Sequence, residues 1–141
     1  MSQPPRILVV EDQYFVAIDC ELTLRNAGYD VVGLATTAKE AVDLAEREHP
    51  DLVLMDIRLA SSTDGVDAAI VIYERFGIRA IFCSGHADER VRETAQRARP
   101  LGWLDKPYTG GALLAAVQDA LRHVHAHPPS NRPASRELEL R

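Results

Sequence analysis

A doubly wound α/β fold with a five-stranded parallel sheet is predicted by two features of the sequence. Five apolar runs of strand length recur at Ile7 to Val10, Val31 to Ala35, Leu52 to Met55, Ala80 to Cys83 and Leu101 to Leu104, separated by segments with helical apolar spacing. The runs are continuous rather than alternating, as strands are when helices cover both faces of their sheet. Repeated strand–helix units with right-handed crossovers produce that arrangement.

The elements follow in order. The first helix places Phe15, Ile18 and Leu22 on one face, which is expected to be its core face. The second opens at Thr37, with Glu40 three residues on as a capping box, and carries Ala41, Leu44 and Ala45. The third carries Val66, Ala69, Ile70 and Tyr73, and the fifth Leu113, Val117 and Leu121. Gly28 and Gly77 stand where helices end, and Pro50 and Pro100 fall just before strands, where a helix must already have stopped. The segment Ala87 to Arg99 differs, offering only Val91, Ala95 and Ala98 among Asp88, Glu89, Arg90, Arg92, Glu93, Arg97 and Arg99. It is expected to pack weakly and to present a surface that a partner can grip.

Composition narrows the function classes. The 141 residues, 46% hydrophobic and 26% charged, suit one globular domain with its own core. A net charge of −5 gives no strong basic field, so neither direct nucleic-acid binding nor an anionic membrane surface is expected. Cys20 and Cys83 lie in apolar contexts and read as reduced core thiols. No run approaches the roughly 18 apolar residues of a membrane span, and the short leader of residues 1–5 is not a targeting segment, so a cytoplasmic protein is expected. The domain is placed at 6–122. From His123 onward the chain turns to prolines, small polar residues and mixed charge, and 123–141 is expected to be a solvated tail. Its His123, His125 and His127 specify no closed metal geometry.

Chemistry gathers at one edge. In an open parallel sheet, ligands bind beyond the carboxyl ends of the strands, at the switch in strand order. There the sequence places Glu11 and Asp12 after the first strand, Asp56 after the third, Ser84 after the fourth, and Asp105 and Lys106 after the fifth. Carboxylates held this close repel unless a cation neutralises them, and all-oxygen ligation completed by water and phosphate is what Mg²⁺ favours. An aspartate beside such a cation, a hydroxyl and an ammonium is suited to accepting a phosphoryl group as nucleophile.

The ordered set "ILVVEDQ", "DLVLMDIRL", "IFCSGHAD" and "GWLDKPY" resembles the receiver domain of bacterial two-component response regulators, over roughly Arg6 to Arg122. The resemblance implies the CheY-like, flavodoxin-like (βα)5 fold with strand order 2-1-3-4-5. It implies that Asp56 is the phosphoacceptor and that Asp12 ligates Mg²⁺, with Glu11 acting through water and the backbone carbonyl of Arg58 as a further ligand. Ser84 matches the switch hydroxyl and Lys106 the lysine that meets the phosphoryl group. Lys106-Pro107 matches a peptide bond that is cis in the family. Trp103 stands where the family has its rotating Tyr or Phe, and a Trp offers only a donor. Arg58 and His86 flank the site and are expected to tune the lifetime of the phosphoryl group.

The implied function is a stand-alone, non-enzymatic switch. A histidine kinase or histidine phosphotransfer protein supplies the phosphoryl group. A downstream protein then reads the face of the fourth helix, fifth strand and fifth helix, with a homodimer left open. Two alternatives are a phosphate sink and a phosphorylation-independent dimerisation module. A haloacid dehalogenase-like enzyme would need a second aspartate two residues beyond Asp56, where this chain has Arg58.

Overall fold

The computed structural model describes residues 3–59 and 64–126. Five strands and five α-helices alternate in it: β1 (Arg6–Val10), α1 (Tyr14–Asn26), β2 (Asp30–Ala35), α2 (Ala38–Glu48), β3 (Leu52–Asp56), α3 (Asp64–Phe76), β4 (Ala80–Ser84), α4 (Glu89–Ala95), β5 (Gly102–Asp105) and α5 (Gly110–Ala126). A short 3-10 turn, Gln96–Ala98, follows α4. The strands form one parallel sheet in the order β2-β1-β3-β4-β5. The expected doubly wound fold is therefore present.

Each central strand feeds two cores, because successive side chains leave opposite faces. Leu8, Val10, Val53, Met55 and Phe82 pack with α2, α3 and α4 on one side. Ile7, Val9, Leu52, Leu54, Ile81 and Cys83 pack with α1 and α5 on the other. Every residue of β3 and β4 is buried, which is why these strands read as unbroken apolar runs.

Local signals set most helix ends. Thr37 Oγ1 accepts from the Glu40 amide at 3.1 Å, and the Glu40 carboxylate reaches back to the Thr36 amide at 2.8 Å, one residue beyond the expected box. Gly28 and Gly77 adopt positive φ at the ends of α1 and α3, where other residues are strained.

The structure overturns the expected core face of α1. Phe15 is 83% exposed and Leu22 55%, while Ala17, Cys20 and Leu24 are buried. Both sets have the spacing i, i+3, i+7, so periodicity alone does not choose between them. Small Ala17 and Cys20 allow the helix to lie close to the sheet, which bulky Phe15 would prevent. Tyr14, 68% exposed, joins the outward set.

The segment expected to pack weakly is a short helix and 3-10 turn, anchored by buried Ala95 and Ala98 with Val91 half-buried. Burial pushes the Cys20 thiol up to about 12 and Cys83 higher still, so both remain protonated and inert. Helix α5 continues to Ala126 with Val124 buried, and the remainder of the tail, including His127, lies outside the described residues. Among the described residues, no helix is long and apolar enough to cross a membrane.

Candidate functional site

The switch point of this sheet lies between β1 and β3, since β1 is flanked by β2 on one side and β3 on the other. Strand β1 therefore delivers Glu11 and Asp12, and β3 delivers Asp56, to neighbouring positions at the carboxyl edge. One carboxylate oxygen from each lies within 4.8 Å of the others. Glu11 is 4% exposed and Asp56 6%, whereas Asp12 faces solvent. Asp105 is exposed and stands outside this group, so of the three or four carboxylates expected at this edge, three converge.

Lys106 is the cation that holds the two buried carboxylates together. Its Nζ donates to Glu11 Oε1 at 2.7 Å and to Asp56 Oδ2 at 3.5 Å. The peptide bond that follows, Lys106-Pro107, is cis. Backbone amides complete the cradle: Gln13 N donates to Glu11 Oε2 at 3.1 Å, and Arg58 N to Asp56 Oδ1 at 3.1 Å.

The electrostatics follow from burial. Desolvation raises the Asp56 carboxyl from 3.8 to about 6, with the Arg58 amide opposing it, the Glu11 charge adding to it and Lys106 opposing it. Desolvation pulls the Lys106 ammonium down, but the hydrogen bond to Glu11 and the charges of Asp56 and Glu11 outweigh it and leave the group above its ordinary value. The edge sets three carboxylates beside the Lys106 ammonium, a group that favours a hard divalent ion.

Ser84, 5% exposed, ends β4 with its Oγ buried and, among the described residues, without a hydrogen-bond partner. An orphaned buried hydroxyl is costly and asks for a ligand. The role of helix cap does not absorb it, because Asp88 caps α4 by accepting from Val91 N at 2.9 Å. Nor does Asp12 occupy the N-cap of α1, where Gln13 stands. The three-carboxylate set and the orphaned hydroxyl fit a Mg²⁺ ion together with an anionic group.

A cavity of about 280 Å³ opens over this edge, lined by Asp12, Gln13, Asp56, Ile57, Arg58, Gly85 and Lys106. Arg58 therefore stands at the site as expected. His86 is exposed and does not line the cavity. Trp103 lies away from it, half-buried against Phe82 with ring centroids 5.0 Å apart.

Gly65 is a site residue that the sequence reading passes over. A Cβ at this position would sit 1.9 Å from the Asp56 carbonyl oxygen and 2.8 Å from the Ile57 Cα. The first turn of α3 is thus pressed onto the backbone that carries Asp56, with Gly65 N donating to Ile57 O at 3.2 Å. The available signal was a glycine kept inside the first turn of a helix at a propensity cost of about 1 kcal/mol.

Such an edge suits a protein that handles a phosphoryl group: carboxylates for a hard cation, an ammonium for anionic oxygens, and an aspartate fixed between them. Residues 7–118 match the family described as "Response regulator receiver domain", and the chain belongs to it. It is 33% identical over 141 residues to the transcriptional regulatory protein PdtaR of Mycobacterium tuberculosis, covering 98% of this chain and 68% of that protein. It is also 33% identical to the phyllosphere-induced regulator PhyR of Methylorubrum extorquens, over 82% of this chain and 43% of that protein.

Solved structures agree. A CheY-like receiver domain from Methanospirillum hungatei matches with TM-score 0.80 and 26% identity, over 87% of this chain and 98% of that one. The receiver domain of a modulated diguanylate cyclase from Desulfovibrio desulfuricans matches with TM-score 0.80 and 31% identity over the same shares. The Glu11, Asp12 and Asp56 cluster has the make-up of the family's phospho-aspartate and Mg²⁺ site. Receiver domains are not enzymes in the ordinary sense, since their chemistry is limited to taking a phosphoryl group and slowly losing it.

Proposed function

We propose that Asp56 accepts a phosphoryl group from a phosphohistidine of a histidine kinase or histidine phosphotransfer protein. The observation that carries this reading is the pairing of a β3-fixed Asp56 with Lys106, whose own amide donates to the carbonyl of Ser84, the residue with the orphaned hydroxyl. An ionised Asp56 oxygen attacks phosphorus, the phosphorus–nitrogen bond breaks, and the donor imidazole leaves as an acyl phosphate forms. Lys106 turns from Glu11 and Asp56 toward the new phosphoryl oxygens, and Ser84 Oγ donates to one of them. Mg²⁺, held by Asp12, Asp56 and the Arg58 carbonyl with Glu11 acting through water, would offset charge on the transferring group.

The donor is proposed to dock on α1. Exposed Phe15 borders a groove of about 480 Å³ with Val16, Asp19, Pro107 and Tyr108. Gln13 and Lys106 line both this groove and the acidic cavity, so a protein seated there can reach Asp56. Arg58, at the cavity mouth, and His86 are proposed to set how fast water removes the phosphoryl group. A downstream protein would read the face of α4, β5 and α5.

The test is Mg²⁺-dependent labelling by a small-molecule or protein phosphodonor. Asp56→Asn is expected to abolish the label, and undiminished labelling overturns the assignment.

A further inference from the structure

Trp103 is held by contacts that its own strand does not supply. The Arg92 guanidinium of α4 lies over the indole, 4.3 Å from the ring centroid. The same side chain donates from Nε to the Ala87 carbonyl at 3.4 Å. Ala87 belongs to the short loop that begins immediately after Ser84. Trp103 also packs on Phe82, its registered partner across the β4–β5 pair and two residues before Ser84 on β4. One exposed cation thus joins the loop after Ser84, helix α4 and strand β5.

We propose that Arg92 is a latch: stacked on Trp103 and tethered to Ala87, it holds α4 and the loop after Ser84 in the resting position, and phosphoryl capture at Asp56 releases it. This rests on the phosphoryl-acceptor reading above. The driving group is Ser84, whose buried Oγ has no partner among the described residues at rest and gains one when an anion arrives. Moving Ser84 toward the cavity carries Ala87 with it, and Arg92 then loses one of its two anchors. The bistable element is the stack rather than a swinging aromatic ring. Trp103 is in contact with both Phe82 and Arg92, and the indole offers only one donor to trade between states.

A latch that favours the resting state opposes activation by its own weight. Trp103 is the sole tryptophan and reports the state directly. The full chain is titrated with beryllofluoride in the presence of Mg²⁺ while Trp103 emission is followed, for the unsubstituted protein, Arg92→Met and Arg92→Lys. Arg92→Met keeps the stem and removes the charge, and is expected to lower the half-saturating concentration about two- to fivefold, the weight of one exposed cation–π contact. Arg92→Lys keeps a cation over the ring and is expected to fall between the other two. A full response with the same or a higher half-saturating concentration in Arg92→Met overturns the latch alone. The absence of any Mg²⁺-dependent response in the unsubstituted chain overturns the phosphoryl-acceptor reading itself.

Discussion

Asp56→Asn is predicted to stabilise the metal-free chain at neutral pH, although it removes the central site residue. Asp56 ionises near 3.8 when unfolded and at about 6 in the fold, because burial and the nearby Glu11 charge penalise its anion. The folded state therefore binds this proton more tightly than the unfolded state. Below about pH 4 the carboxyl is protonated in both states and costs nothing. As pH rises from 4 through 6 the fold progressively loses stability, and above that the penalty is constant.

At about 1.4 kcal/mol per decade of acidity, the displacement corresponds to a penalty of up to about 3 kcal/mol. Asn keeps an oxygen for the Arg58 amide but presents no anion to Lys106, 3.5 Å away, which recovers less than the full amount. The expected gain is about 1 to 3 kcal/mol at pH 7.5. The assay is urea unfolding of both proteins in chelator at pH 7.5 and at pH 4. The gain should be present at the first and absent at the second. A variant no more stable than the parent at pH 7.5 would refute the claim that Asp56 is held in an unfavourable ionised state.

Lys106→Met leaves Glu11 and Asp56 buried together without their cation and should cost about 2 kcal/mol at neutral pH, less at pH 4, by denaturant unfolding. An unchanged midpoint would mean that the two ion pairs contribute nothing. Ser84→Ala removes a hydroxyl that has no partner among the described residues and should leave stability within about 1 kcal/mol, while weakening Mg²⁺-dependent phosphorylation. Gly65→Ala drives a methyl into the Asp56 carbonyl and should lower stability by about 2 to 3 kcal/mol, read as a shifted unfolding midpoint. A normal midpoint there would show that α3 can back away from β3.

Much of the site was legible because its residues follow directly on strands. A continuous apolar run ending in a carboxylate states both that the strand is buried and where its charge emerges, so Glu11, Asp12, Asp56 and Ser84 could be placed at one edge from spacing alone. Asp105 shows the limit of that inference: it also follows a strand, yet points to solvent, because strand-end position does not settle side-chain direction. Gly65 was silent for a related reason, since its importance is the absence of an atom near a backbone 9 positions earlier in the chain.

By itself, the amino-acid sequence determined the alternation of elements, the sheet with helices on both sides, and the acidic edge. These depend on apolar periodicity and on residues adjacent to strand ends, both local properties. The tertiary structure alone decided which of two equally spaced faces of α1 is buried, that Lys106 pairs more closely with Glu11 than with Asp56, and that Arg92 covers Trp103. Each of these depends on the distance between segments remote in the chain, and packing of the whole domain sets such distances where no local pattern can.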